Sequence, residues 1–284
     1  MSAPIIIVMY HEISTKIEHP FSNALCTSVE RFEEHLNFFS TNFSIVSAKN
    51  INIKTEKTKL LITFDDGYVG NYLYAAPLLR KYNVPALFFI TTGFIDRTSS
   101  YWIFIVKNMS NKRLALFLIK HNPIALLLAI IKGNSLYKVV KKCFKYSYIK
   151  ELNKLYSGVG FDKYFLSWSQ INDLKNDNLF EIGAHTISHA VLSRLSYTDQ
   201  LYEIKKSIHC LENRLGVTIK HFSYPFGDEN DLNESSKNIC KELGVFAYTT
   251  QKGNNTLFDR QGIQRIGIHN DTVSELDKRI NKYL

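Results

Sequence analysis

Long apolar runs are missing from this sequence. No stretch approaches the roughly 20 consecutive apolar residues that a helix needs to cross a bilayer, so no segment reads as a membrane span. Cysteine is scarce: Cys26, Cys143, Cys210 and Cys240 are scattered, form no CxxC pair and are too few to staple 284 residues, so reduced thiols are expected and no chemistry is assigned to them. The opening, MSAPIIIVMYHEIS, has neither a basic leader nor a small-residue cleavage site. It reads as a first strand, and a cytoplasmic location is expected. Repeats and low-complexity linkers are also absent, and residues 1–284 are read as one domain.

Acidic charge is missing from one place in particular. Between Arg97 and Gly160 there are twelve Lys and Arg but a single acidic residue, Glu151, a net charge of +11. The remainder carries 23 basic and 25 acidic residues, so the overall +9 comes entirely from this segment. A nucleic-acid-binding reading has no support in that distribution.

Apolar runs alternate with amphipathic patterns along the chain. The runs Ile5 to Met9, Leu60 to Phe64, Ala86 to Ile90, Phe180 to Ala184, Phe222 to Tyr224, Val245 to Thr249 and Gln264 to Ile268 read as strands. Helices are expected over Val29 to Ser40, Asn71 to Tyr82, Thr198 to Leu215, Glu234 to Leu243 and Ser274 to Tyr283. The clearest is Thr198 to Leu215, where Leu201, Ile204, Ile208, Leu211 and Leu215 recur at three- and four-residue steps and Gly216 suits the stop. Strand, helix, strand at this spacing implies an α/β fold with parallel strands, and about seven such units imply a barrel more than an open sheet. Residues 97–165 break the rhythm. They are helical in pattern and rich in Lys, and they read as an insertion after the strand ALFFIT.

Four polar clusters directly follow predicted strands: MYHE (Met9 to Glu12), TFDDG (Thr63 to Gly67), GAHTISH (Gly183 to His189) and SYPFG (Ser223 to Gly227). In a parallel barrel, chemistry gathers at those strand ends. As a helix cap, one of Asp65 and Asp66 would be explained and the other would not. His185 and His189 lie four apart. Two histidines at this spacing are often plain surface or core residues, but two neutral imidazoles with one carboxylate also make a common divalent-metal triad. A second carboxylate can then take a proton from the attacking water, a role typically worth about 10²–10⁴-fold in rate. In SYPFG, Pro225 fixes the turn and the Phe226 N–H is available to an oxyanion, although an ordinary turn would have the same composition. His11 ends the first strand and is placed to face the site. A phosphatase with an aspartyl nucleophile would need a second Asp two positions on, where this chain has Gly67.

These motifs, in this order, resemble the polysaccharide deacetylase family, the nodulation-factor-type deacetylases of carbohydrate esterase family four. IIIVMYHEI is similar to the opening strand, LLITFDDG to the first motif, EIGAHTISHAVLSRLS to the second and FSYPFG to the third; PALFFIT and LSWSQINDL add to the match. The resemblance implies a distorted (β/α)7-type barrel. It implies Asp65 as general base, Asp66, His185 and His189 as ligands of a divalent metal, zinc or another first-row ion, and Phe226 as the backbone oxyanion donor. Tyr224 and Pro225 are then expected, with His11, against substrate. Two positions depart from the pattern. An Arg that orients the base in part of the family is Phe222 here, and Arg265 on the last strand is the candidate replacement. The late histidine used as general acid has His269 as its counterpart, in poorly matching surroundings.

The implied activity is metal-dependent removal of an N-acetyl group from an amino sugar in a glycan or a precursor, lipid-linked precursors included. A deformylase or an O-deacetylase on a lipid-linked sugar, or a silent glycan-binding barrel, are the alternatives. The charge and apolar runs of residues 97–160 read either as a lid on the barrel or as a patch that contacts the inner face of an anionic membrane.

Overall fold

The computed structural model describes residues 4–16, 23–99, 101–133, 135–155, 161–256 and 259–284. Residues 100, 134 and 156–160 of the expected insertion therefore lie outside the described residues.

The strands are β1 (Ile5–Tyr10), β2 (Glu12–Ser14), β3 (Cys26–Ser28), β4 (Ser44–Ile45), β5 (Lys59–Phe64), β6 (Ala86–Ile90), β7 (Phe180–Ala184), β8 (His221–Ser223), β9 (Phe246–Tyr248) and β10 (Ile266–Gly267). The helices are α1 (Val29–Asn42), α2 (Ala76–Lys81), α3 (Thr92–Ile95), α4 (Trp102–Asn108), α5 (Asn111–His121), α6 (Pro123–Ile131), α7 (Leu136–Lys142), α8 (Tyr146–Leu155), α9 (Trp168–Asn176), α10 (Tyr197–Leu215), α11 (Glu234–Glu242) and α12 (Val273–Asn281). The expected helix over residues 71–82 begins with a π turn at Asn71–Ala75 before α2. Each of the seven expected strands is present, with its ends shifted by two residues at most.

The main sheet runs β10-β1-β5-β6-β7-β8-β9, every pairing parallel, with β4 added beside β5. The sheet curls, and the segment before β10 bridges its two ends: the Ile263 N–H donates to the Ala247 carbonyl and the Thr249 N–H to that of Ile263, at 3.0 and 2.8 Å. The result is a distorted (β/α) barrel.

Alternation along the strands sorts their side chains into two cores. Ile5 and Ile7 of β1, Leu61 of β5, Leu87 and Phe89 of β6, and Tyr248 of β9 fill the barrel interior. Ile6, Val8, Leu60, Ile62, Phe64, Phe88 and Ile90 point outward into the helices. Gly183 of β7 belongs to the interior series, where a Cβ would come within 2.6 Å of the Phe89 ring. That crowding explains a glycine inside a strand.

Helices α4 to α8 form the insertion between β6 and β7. They are seated on the barrel, because Trp102, Val140, Phe144, Tyr148 and Leu152 join the same outer core as the strands. The stop read for the longest helix is present, with Gly216 ending α10 at φ 65°, and at its start Ser196 Oγ accepts from the Asp199 N–H.

Candidate active site

Strand parity delivers the first carboxylate. Thr63 and Asp65 continue the inward series of Leu61, so Asp65 enters the barrel mouth just past the end of β5, and its N–H donates to the Tyr10 carbonyl at 3.0 Å. Asp66 then turns at φ 74° and Gly67 at φ 80°, which takes the chain out of the strand direction. Left-handed backbone costs a non-glycine residue about 1–2 kcal/mol. Thr186 (64°), His189 (54°) and Phe226 (62°) also adopt it, so the strain is concentrated around one point.

Asp66, His185 and His189 converge there. Their ligating atoms lie within 4.8 Å of one another, and all three side chains are buried. Asp66 Oδ1 is 3.3 Å from His185 Nε2 and 3.2 Å from His189 Nε2, and among the described residues it accepts no hydrogen bond. The Nδ1–H of His185 donates to the Ser223 carbonyl at 2.7 Å, so in the neutral ring the Nε2 lone pair faces Asp66 Oδ1. Acceptor facing acceptor in a buried pocket calls for a positive charge between them. A buried carboxylate oxygen with no donor and two imidazole nitrogens beside it fit a divalent first-row metal. Burial raises the Asp66 carboxyl, but His189 and His185 more than offset this and hold it well below the usual range. Burial lowers His185, and Asp65 and Asp66 together bring it above the usual histidine value. Both shifts express the same demand for positive charge.

Asp65 is held separately. Arg265, fully buried, donates from Nη1 to Oδ1 at 2.7 Å and from Nη2 to Oδ2 at 2.8 Å. Its remaining donors reach the Thr249 carbonyl, Thr63 Oγ1 and Ser223 Oγ, and Ser223 Oγ in turn donates to Asp65 Oδ2. Burial pushes the Asp65 carboxyl up, and Arg265 and His185 then bring it below its ordinary value. Phe222 has the outward parity and lies in the outer core, so the inward positions Ser223 and Arg265 serve the carboxylate.

Phe226 packs its ring 4.8 Å from that of His189, and among the described residues no acceptor takes its N–H. His11 lies partly buried past β1, close enough to Asp66, Asp65, Arg265 and His185 to feel their charges. The other expected residues are placed differently. His269 is exposed after β10, its N–H donating to Asp271 Oδ2 at 3.1 Å. Tyr224 is fully buried in the outer core beside Phe222, with its hydroxyl donating to the Gln261 carbonyl. Pro225 is buried as well. Neither Tyr224 nor Pro225 offers a side-chain surface to a substrate.

Several residues at the site escaped the sequence reading. Glu203 of α10 is fully buried and accepts from the Ile187 and Ser188 N–H groups and from Ser188 Oγ, at 2.9, 3.0 and 2.6 Å. It thereby ties down the loop between the two histidines. The signal was present in the sequence: Gln200, Glu203 and Ser207 are polar residues within the buried stripe of an amphipathic helix. The insertion contributes too. The Trp102 indole N–H donates to the His189 carbonyl at 3.0 Å, Lys141 lies 4.1 Å over the Phe226 ring, and Tyr101 packs edge-on to His189. Glu203→Ala is expected to weaken divalent-metal binding at Asp66, His185 and His189 about 10–100-fold, as loss of groups supporting metal ligands does elsewhere. Calorimetric titration with zinc, on a variant with a wild-type circular dichroism spectrum, checks this; an unchanged affinity would show that the loop holds itself.

A family profile described as Polysaccharide deacetylase matches residues 52–248, which contain both aspartates, both histidines and the Phe226 turn. The chain belongs to the polysaccharide deacetylase family. His11, Arg265 and His269 lie outside the matched span. Among curated proteins, YxkH of Bacillus subtilis (strain 168), named for the same family, is 34% identical over 91 residues, 30% of this chain and 30% of that relative. Among solved structures, the Streptococcus pyogenes deacetylase PplD, in complex with acetate, superposes with a TM-score of 0.65 at 19% identity, covering 98% of this chain and 99% of its own. IcaB from Ammonifex degensii superposes with a TM-score of 0.65 at 17% identity, covering 98% and 97%. At such identities these superpositions establish the shared barrel.

Proposed function

We propose that this polysaccharide deacetylase family member hydrolyses the N-acetyl group of an amino sugar in a glycan or a lipid-linked glycan precursor met at a membrane surface. The observation that carries this reading is the division of two adjacent buried carboxylates between different partners, Asp66 with two imidazoles and Asp65 with a guanidinium. Asp66, His185 and His189 would hold a divalent first-row metal, zinc among the ions that suit this donor set, and it would supply polarisation of the acyl carbonyl and a lowered pKa for water. Asp65 takes the proton of the attacking water as oxygen adds to the carbonyl carbon. Arg265 keeps that carboxylate ionised and aimed. The Phe226 N–H donates to the oxyanion. The C–N bond then breaks, acetate leaves, and the amine nitrogen must gain a proton.

His11 is the better placed imidazole for that last proton, because it shares the field of both aspartates while His269 is exposed. Burial holds the His11 pKa below the usual value despite the aspartates, so the proton it hands to the amine is the one that Asp65 took from the attacking water.

The test is acetate release from an N-acetylglucosamine oligomer by the zinc-loaded protein, before and after chelation and after zinc is restored. Release that stops with chelation and returns with zinc is expected. Formate release from a formylated sugar in place of acetate would reassign the acyl group, and glycan binding without any acyl release would make the barrel a binding protein.

A further inference from the structure

The helix α6 has no polar face. On its outward arc Ile124, Leu127, Leu128, Ile130 and Ile131 are 71, 58, 47, 68 and 69% exposed, while Ala125, Leu126 and Ala129 face the insertion's core. A surface helix normally sets polar residues on the arc that its core contacts leave free. Leu116 and Ile119 of α5 are exposed as well. Exposed Lys112, Arg113, Lys120 and Lys132 flank this aliphatic patch along the chain, and only Lys120 has a carboxylate partner, Glu151, among the described ion pairs.

We propose that this α5–α6 face seats the protein on an anionic bilayer, with the aliphatic arc of α6 entering the headgroup–acyl boundary. This deepens the membrane part of the function proposed above and is independent of the acyl-transfer chemistry. An aliphatic arc bordered by cations is the pattern of an interfacial helix, and anionic headgroups complement the surrounding charge. A second copy of the chain is a poorer occupant, because segments of net charge +11 would be brought face to face. At nine residues α6 is about 14 Å long, too short to span the hydrocarbon core, so it lies in the surface plane. The docked segment is also mechanically continuous with the site, since Trp102 and Lys141 of the same insertion touch His189 and Phe226.

The test is flotation with vesicles of phosphatidylcholine alone and of equimolar phosphatidylcholine and phosphatidylglycerol. The wild-type protein is expected to float with the anionic vesicles, less so at high salt and weakly with neutral ones. Withdrawing one large aliphatic side chain from water is worth roughly tenfold in partitioning, so Ile124→Ser, Leu127→Ser and Ile131→Ser combined should cost more than tenfold. Lys112→Glu with Lys132→Glu should abolish the preference for anionic lipid. Absence of wild-type binding, or equal binding by the triple serine variant, would overturn the proposal. So would a concentration-dependent dimer that the serine variant dissolves, since the face would then belong to a second copy. Acetate release from a soluble oligomer by the serine variant should match wild type, and if neither protein releases acetate the flotation result still stands.

Discussion

Asp65→Asn is expected to lower turnover about 10²–10⁴-fold while the protein keeps its metal, and His185→Ala is expected to lose both. The distinction follows from the geometry. Asp65 oxygens are occupied by Arg265 and Ser223, with no imidazole within ion-pair distance among the described residues, whereas Asp66 Oδ1 faces the two histidine Nε2 atoms and has no donor among the described residues. An amide at position 65 keeps the shape but cannot accept the proton of the attacking water. Removing the His185 imidazole deletes one of three convergent ligands and opens the donor contact to the Ser223 carbonyl. Acetate release measured alongside metal content by atomic emission separates the two roles. Equal metal loss in both variants would mean that the aspartates share the ion and that the base lies elsewhere.

Arg265→Met is expected to be the most destabilising single change at the site. It leaves Asp65, 2% exposed, without its cation, and breaking a buried ion pair from one side typically costs about 3–5 kcal/mol. For a chain of this size that corresponds to a fall in Tm of roughly 10 °C. The pH dependence has a definite sign. In the wild type the folded Asp65 pKa is below 3.8, so its contribution is present above that pH and is lost as the pH falls further. In the variant the contribution of Arg265 is lost and only His185 and His11 still oppose the effect of burial, so the carboxyl rises relative to wild type and its ionisation favours folding less as the pH rises. The stability gap between the two proteins should therefore widen from acid towards neutral pH, and the acid limb of the rate profile should move to higher pH in the variant. Thermal melts across that range check this. Asp65→Asn placed on top of Arg265→Met should recover part of the lost stability, because the stranded charge is then gone. A gap that does not change with pH would show that the loss comes from packing, not from charge.

Much of the barrel was legible in the sequence, because strand and helix periods are local properties. The strands through Phe64, Ile90 and Ala184 and the helix ending at Gly216 follow from runs and caps that are contiguous along the chain. So do the adjacency of Asp65 and Asp66 and the four-residue spacing of His185 and His189, whose order carries the family resemblance. The strands β2, β3 and β4 were not legible, since Glu12–Ser14, Cys26–Ser28 and Ser44–Ile45 carry mostly small or polar residues, whereas the equally short β8, β9 and β10 overlap the stretches read as strands. Glu203 was missed for a different reason: its partners Ile187 and Ser188 are backbone and hydroxyl groups in a loop, and no spacing rule connects them to α10.

What the tertiary structure alone decided is which groups meet. Parity sends Asp65 inward and the resemblance offers Arg265, 200 residues later, only as a candidate partner; the guanidinium reaches the carboxylate because β10 closes beside β1. Tyr224 shares the outward parity of Phe222 and lies in the outer core, while the strand order leaves His11 in the field of the aspartates and His269 exposed. The basic segment was visible as composition, yet composition cannot tell a buried aliphatic face from an exposed one. The packing of α4, α7 and α8 consumes one set of apolar residues and leaves the outer arc of α6 open to solvent. Local order specifies which residues each element carries, and long-range strand order specifies which of them share a site.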